Sequence, residues 1–171
     1  MKQKNPDVFS IGCICHLVNL CAKVGVKQLS VPIDDLLVDI YYHFENSSKR
    51  QKTYKNFQLF TEVDDMNILK HCPACWLSLH KVVDRVFNQY AALSSYFESN
   101  DDVEKSGRVR NIHELLKSPL TQLTLRFLHF VLPLLNEFNK LFQTDKSQIG
   151  GMMEEMDRLL KKYLLKFVEM K

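Results

Sequence analysis

Two short pairs of metal-competent side chains stand out in this chain of 171 residues, Cys13-x-x-His16 and Cys72-x-x-Cys75. Thiolate and imidazole at that spacing are the ligand types of tetrahedral zinc sites, and the two pairs together would supply four ligands. The 55 residues between them exceed the linker of a compact zinc finger, so only tertiary folding could unite them. Cys72-Pro73-Ala74-Cys75 also has the spacing of a redox dithiol, but that chemistry needs a βαβ setting that the flanking sequence does not provide. The expectation is therefore incidental or buried thiols, no bound cofactor and no metal, with Cys13, His16, Cys72 and Cys75 as the alternative zinc set.

Carboxylates are scattered. Asp34, Asp35 and Asp39 read as helix-start charge and an exposed face, while Asp64-Asp65 and Asp101-Asp102 read as cap and loop. Metal-assisted phosphoryl transfer needs several acids converging on one rigid scaffold. No P-loop, GxSxG or HExxH sequence is present. A second kind of chemistry is offered by Lys49, Arg50, Lys52 and Lys55, which interleave with Tyr54, Phe57 and Phe60. Such a basic helix with an aromatic face could meet a phosphate backbone, although a solvated cationic face on a core helix is the commoner outcome.

The elements that would position these residues are helical. Five glycines and five prolines in a chain rich in Leu, Lys and Phe imply few turns. A helix is predicted from His16 to about Gly25, and a second, with acidic residues in its first turn, over Ile33–Phe44. The basic segment forms a third. The strongest pattern follows Ser78, a plausible N-cap, with Leu79, Val82, Val83, Val86, Phe87, Tyr90, Leu93 and Phe97 on one face of a single helix. After a polar loop over about 99–110 comes a helix kinked at Pro133, with a stripe of Leu120, Leu123, Phe127, Val131, Leu134, Phe138 and Leu141. The last helix carries Met153, Met156, Leu160, Tyr163, Leu164 and Phe167. Val8 to Cys15 is the one strand candidate. The expected fold class is mainly α, about six helices with one short N-terminal strand.

A formal charge of +3 is too small to imply nucleic acid or anionic membrane by itself. No uncharged run approaches the length of a membrane span. Val8 to Ala22 superficially resembles a signal peptide, but His16 and Asn19 interrupt it and Pro6 and Asp7 precede it. With an odd number of cysteines at low density, the expected location is nuclear or cytoplasmic, not secreted.

Two stretches, Gly12-Cys13-Ile14-Cys15-His16-Leu17-Val18-Asn19-Leu20 and His71-Cys72-Pro73-Ala74-Cys75-Trp76-Leu77-Ser78-Leu79, together resemble the CxxH and RW segments of hAT-superfamily DNA transposases. DDLLVDIYYHF from Asp34 and FLHFVLPLLNEFNKLFQ from Phe127 are similar to domesticated or decayed vertebrate hAT-like sequences. The resemblance implies that residues 1–15 are an orphan strand of a ribonuclease-H-like core and 16–171 its helical insertion region. It matches Cys13, His16 and Asn19 to the CxxH segment, with His16 near scissile DNA, and Trp76 to the insertion-domain tryptophan. Cys75 stands where that family has arginine, which removes a permanent cation. The family's catalytic carboxylates are expected to lie outside the chain. The implied function is a catalytically inactive transposase-derived fragment retaining at most weak, sequence-indifferent DNA or protein binding, while the unpaired strand Val8 to Cys15 and the apolar stripe of the last helix predict self-association, with no membrane and no small-molecule substrate expected. The alternatives are a helical interaction module with a basic, aromatic surface and, third, a zinc-stabilised interaction domain.

Overall fold

The computed structural model describes residues 13–72, 76–99, 107–143 and 149–168. Among them it contains eight α-helices and one 3-10 turn, Ile149–Gly151, and no strand. The helices are α1 (Ile14–Lys27), α2 (Ile33–Glu45), α3 (Ser48–Phe60), α4 (Trp76–Asn88), α5 (Tyr90–Glu98), α6 (Arg108–Lys117), α7 (Pro119–Leu141) and α8 (Met152–Val168). The expectation of a mainly α chain holds, and the expected count of six is corrected to eight. The expected strand over Val8 to Cys15 falls mostly outside the described residues, and its last two members, Ile14 and Cys15, open α1 instead.

Two differences account for the count. The segment from Leu79 to Phe97 is divided at the single residue Gln89 into α4 and α5, although the Gln89 N–H still donates to the Arg85 carbonyl at 3.0 Å and its carbonyl still accepts the Leu93 N–H at 2.9 Å. Arg108–Arg110, expected in a loop, begin α6. Ser78 does not cap α4, which starts two residues earlier. Its hydroxyl instead bonds both the N–H and the carbonyl of Cys72, at 3.2 Å each.

The chain divides into two compact units, Lys27–Pro133 and Met1–Val26 with Leu134–Lys171. In the first, α5 packs against α3, α4 and α6, and α2 against α3, α4 and α6. Its core unites Leu36, Leu37, Ile40 and Phe44 of α2, Val82, Val83 and Val86 of α4, Leu93, Tyr96 and Phe97 of α5, Ile112 of α6, and Leu125 and Leu128 of α7. Phe44, Tyr54, Tyr96 and Phe97 form a ring cluster with centroids about 5–6 Å apart, an edge-rich geometry that suits the ring quadrupoles. His43 lies inside it, 3.0 Å from the Tyr96 hydroxyl.

Between α3 and α4 the irregular segment Glu62–Cys72 is fastened by side chains. Gln58 Nε2 donates to the Met66 carbonyl at 2.8 Å, Gln89 Nε2 to the Asp64 carbonyl at 2.9 Å, and Arg85 to the Asn67 carbonyl. The buried His71 Nε2 sits 3.4 Å from Asp34 Oδ1, so Asp34 has a tertiary partner as well as a helix-start position.

The second unit is smaller in core. Cys15 Sγ donates to the Asn139 carbonyl at 3.6 Å, and Asn139 Nδ2 donates to Asn19 Oδ1 at 2.8 Å, which joins α1 to the end of α7. Lys162 of α8 reaches Glu137 of α7 at 3.3 Å. The expected apolar stripe of α8 is only partly covered. Met156 and Tyr163 are half-buried, whereas Met153, Leu160 and Leu164 are exposed.

No helix among the described residues is long and apolar enough to cross a membrane.

Candidate functional site

The residues with the best claim to a surface role lie on α3. Ser47 caps this helix by accepting the Arg50 N–H at 3.3 Å, and Ser48 to Phe60 follow without a glycine or proline. Its inner face is set by Tyr54 and Gln58, both buried, with Phe57 half-buried. Tyr54 donates its hydroxyl to Gln89 Oε1 at 3.0 Å, and burial pushes its phenol well above the usual tyrosine range.

The four cations expected to contact phosphate do not form one free surface. Arg50 turns back onto the end of α2, donating to the His43 carbonyl at 3.1 Å, while Gln51 donates to the Phe44 carbonyl at 2.9 Å. Both bond carbonyls of the last turn of α2, that of Phe44 also accepting the Ser47 N–H at 3.3 Å, and the guanidinium meets the negative end of the α2 dipole. Lys55 pairs with Asp65 at 2.9 Å, both exposed, an arrangement worth at most about 1 kcal/mol but enough to neutralise its charge locally. Lys49 and Lys52 remain exposed, and neither makes an ion pair among the described residues.

Those two lysines share the outer face of α3 with Asn56, Leu59 and Phe60, at the three- and four-residue spacing of a helix. Leu59 and Phe60 are 81% and 80% exposed. Grouping Phe60 with Tyr54 and Phe57 on one face overlooks that six residues turn a helix about 600°, which leaves Phe60 roughly 120° away from Tyr54. Leu59 was not singled out by sequence, although its spacing of seven from Lys52 places it on the lysine face.

The turn that follows is unusual. Val63 N–H donates to the Gln58 carbonyl at 3.0 Å and Glu62 N–H to the Leu59 carbonyl at 3.2 Å, the paired bonds of a Schellman motif. Glu62 occupies the left-handed position at φ 55°, where glycine is usual.

The residues of the two motif segments fall in different units, Cys13, His16 and Asn19 in one and Trp76 in the other. Cys13 is exposed and its carbonyl accepts the Leu17 N–H at 3.1 Å; His16 is exposed in the first turn of α1, and Asn19 is half-buried against Asn139. Trp76 opens α4, with its side chain outside the described residues. Of the alternative zinc set, Cys13 and His16 belong to one unit, Cys72 to the other, and Cys75 lies outside the described residues. Among the described residues no group of three or more His, Cys, Asp or Glu side chains is placed to hold a metal ion. Comparison with protein-family models, curated proteins and solved structures gave no match.

Proposed function

We propose that the chain is a non-catalytic helical binding module, of the hAT insertion type by its sequence resemblance, that meets a protein partner through the outer face of α3. The observation that carries this reading is the side-by-side exposure of Leu59 and Phe60, at 81% and 80%, beside Lys49 and Lys52. Two large apolar side chains so fully in water offer surface that a partner's pocket would remove from water, at about 25 cal/mol per Å². The flanking lysines suit a pocket rimmed by Asp or Glu, which would steer association and set orientation. Nucleic acid is the second reading. Two phosphate contacts would give a slope of log K against log salt of only about −2, which is weak and sequence-indifferent binding.

A photo-crosslinking residue at position 60 of the full chain tests the choice, with the same residue at position 50 as control. In nuclear extract, both untreated and nuclease-treated, the expected result is discrete protein adducts from position 60 that disappear on Leu59→Asp and on the double change Lys49→Glu with Lys52→Glu. Adducts that vanish with nuclease would make nucleic acid the partner. Equal labelling from both positions would overturn a dedicated face.

A further inference from the structure

The last helix presents a second exposed apolar stripe, and its charge order says what covers it. Met153, Leu160, Leu164 and Val168 follow one another at helical spacing and are 71%, 58%, 64% and 65% exposed, with Leu165 beside them at 58%. These five side chains offer on the order of 500 Å² of apolar surface, most of what one partner contributes to a stable interface of roughly 800 Å² per side. The opposite face of α8 is the one its own unit uses, through Leu159, Glu155, Arg158 and Lys162, which line a groove with Leu134, Phe138 and Leu141 of α7.

Charge along α8 is segregated. On the exposed side of the helix Glu154 and Asp157 stand in the first half and Lys161 in the second, while Glu155, Arg158 and Lys162 lie on the opposite face with in-chain partners. Two copies aligned in parallel would set like against like. Two copies aligned antiparallel would set the acidic half of each against the basic half of the other, with the helix dipoles also opposed. Packing Met153 against Leu164 of the second copy sets Leu160 beside Asp157 of that copy, whose carboxylate keeps its in-chain partner Lys161, and places Glu154 next to the same Lys161, by the stagger of antiparallel helices. Glu154 is exposed and makes no ion pair among the described residues, so this carboxylate is open to a partner.

We propose that α8 is the self-association surface of this protein, pairing antiparallel with α8 of a second copy around Met153, Leu160 and Leu164, with Glu154 and Lys161 exchanging ion pairs across the two-fold axis. This surface is separate from the α3 face and does not rest on the reading given for it.

Sedimentation equilibrium of the full chain under reducing conditions tests the proposal. The expected result is a dimer at about 100 μM, a concentration at which a micromolar Kd leaves mostly dimer. Leu164→Lys should give monomer with unchanged helical circular dichroism. Glu154→Lys and Lys161→Glu should each weaken the dimer roughly tenfold, and their combination should restore it, because the swapped pair again matches across the axis. The in-chain pair of Lys161 with Asp157 is not restored by that combination, so rescue reports on the contact between copies. A monomer at that concentration, a dimer indifferent to Leu164→Lys, a parallel arrangement by spin-label distances, or loss without rescue would each overturn it. Should Leu164→Lys fail to fold, the charge-swap series decides alone.

Discussion

Replacing Gln89 by leucine should destabilise the Lys27–Pro133 unit by about 2–4 kcal/mol, although the side chain is swapped for one of similar volume. Gln89 is 1% exposed and holds three groups at once: Oε1 accepts from Gln58 Nε2 at 2.7 Å and from the Tyr54 hydroxyl at 3.0 Å, and Nε2 donates to the Asp64 carbonyl at 2.9 Å. Gln58 keeps its bond to the Met66 carbonyl when Gln89 is lost, so its orphaning is partial. The Tyr54 hydroxyl loses the acceptor it has here, and the Asp64 carbonyl keeps only a 3.5 Å contact with Gln58. Each buried polar group stranded in this way costs about 1–3 kcal/mol, and burying a leucine offsets about 1–2 kcal/mol of the sum. Removing both glutamines should cost less than the two single changes together, because the pair no longer leaves one amide unsatisfied, with a coupling of about 1–2 kcal/mol. Urea denaturation followed by circular dichroism gives the free energies. Amide exchange gives the location, which should be the segment Glu62–Cys72, released first because Asp64 is its anchor to Gln89. A loss below about 1 kcal/mol, or strict additivity of the two changes, would refute the claim that this amide network holds the connection between α3 and α4.

Three further outcomes follow from particular residues. Glu62→Gly should stabilise the chain by about 1 kcal/mol, since it relieves a side chain at φ 55° in a position that favours glycine; an unchanged denaturation midpoint would show that the carboxylate has a compensating contact. Timed thiol labelling read by mass spectrometry should modify Cys13, Cys21 and Cys72 quickly and Cys15 slowly, because burial, reinforced by the neighbouring Cys13 thiol, raises the Cys15 pKa and lowers its thiolate fraction. Stability should fall as pH rises through the alkaline range. Burial pushes the Tyr163 phenol up to about 12 and Tyr54 higher still, while in the unfolded chain both ionise near 10, so above about pH 10 the unfolded state holds fewer protons and is favoured. Tyr163→Phe should flatten part of that decline, measured by urea titration across pH, and a decline of the same depth would disprove the assignment.

Helix α2 was legible almost to the residue, because an apolar repeat, acids in the first turn and the polar run Asn46-Ser47-Ser48 at its end all act within one or two turns of chain. The same local logic located α3, the bounds of α7 and the body of α8. It could not locate the one-residue interruption at Gln89, since the apolar repeat runs unbroken from Leu79 to Phe97, nor the bonds of the buried Gln89 side chain to Tyr54, Gln58 and Asp64, far away in sequence. Nor could it find α6, whose short amphipathic run follows a charged stretch. The candidate site divided in the same way. The basic character of α3 is written in Lys49, Arg50, Lys52 and Lys55, but that Arg50 is spent on the end of α2 and Lys55 on Asp65 depends on which elements come to lie alongside. Helix α7 shows the limit most clearly. Leu120, Leu123, Phe127 and Phe130 make one apolar face, and Thr121, Thr124, Leu125, Leu128 and Leu132 make another. The stripe expected from sequence divides: Leu120, Leu123, Phe127 and Leu141 are exposed and Val131 half-buried, whereas Leu134 and Phe138 are buried, and in the first half of the helix the fold buries Leu125, Leu128 and Leu132 instead. Backbone hydrogen bonds and side-chain periodicity decide that a helix forms, and both are local. Which of two apolar faces leaves water is decided by the shape of the helices packed against it, and that shape exists only once the chain has folded.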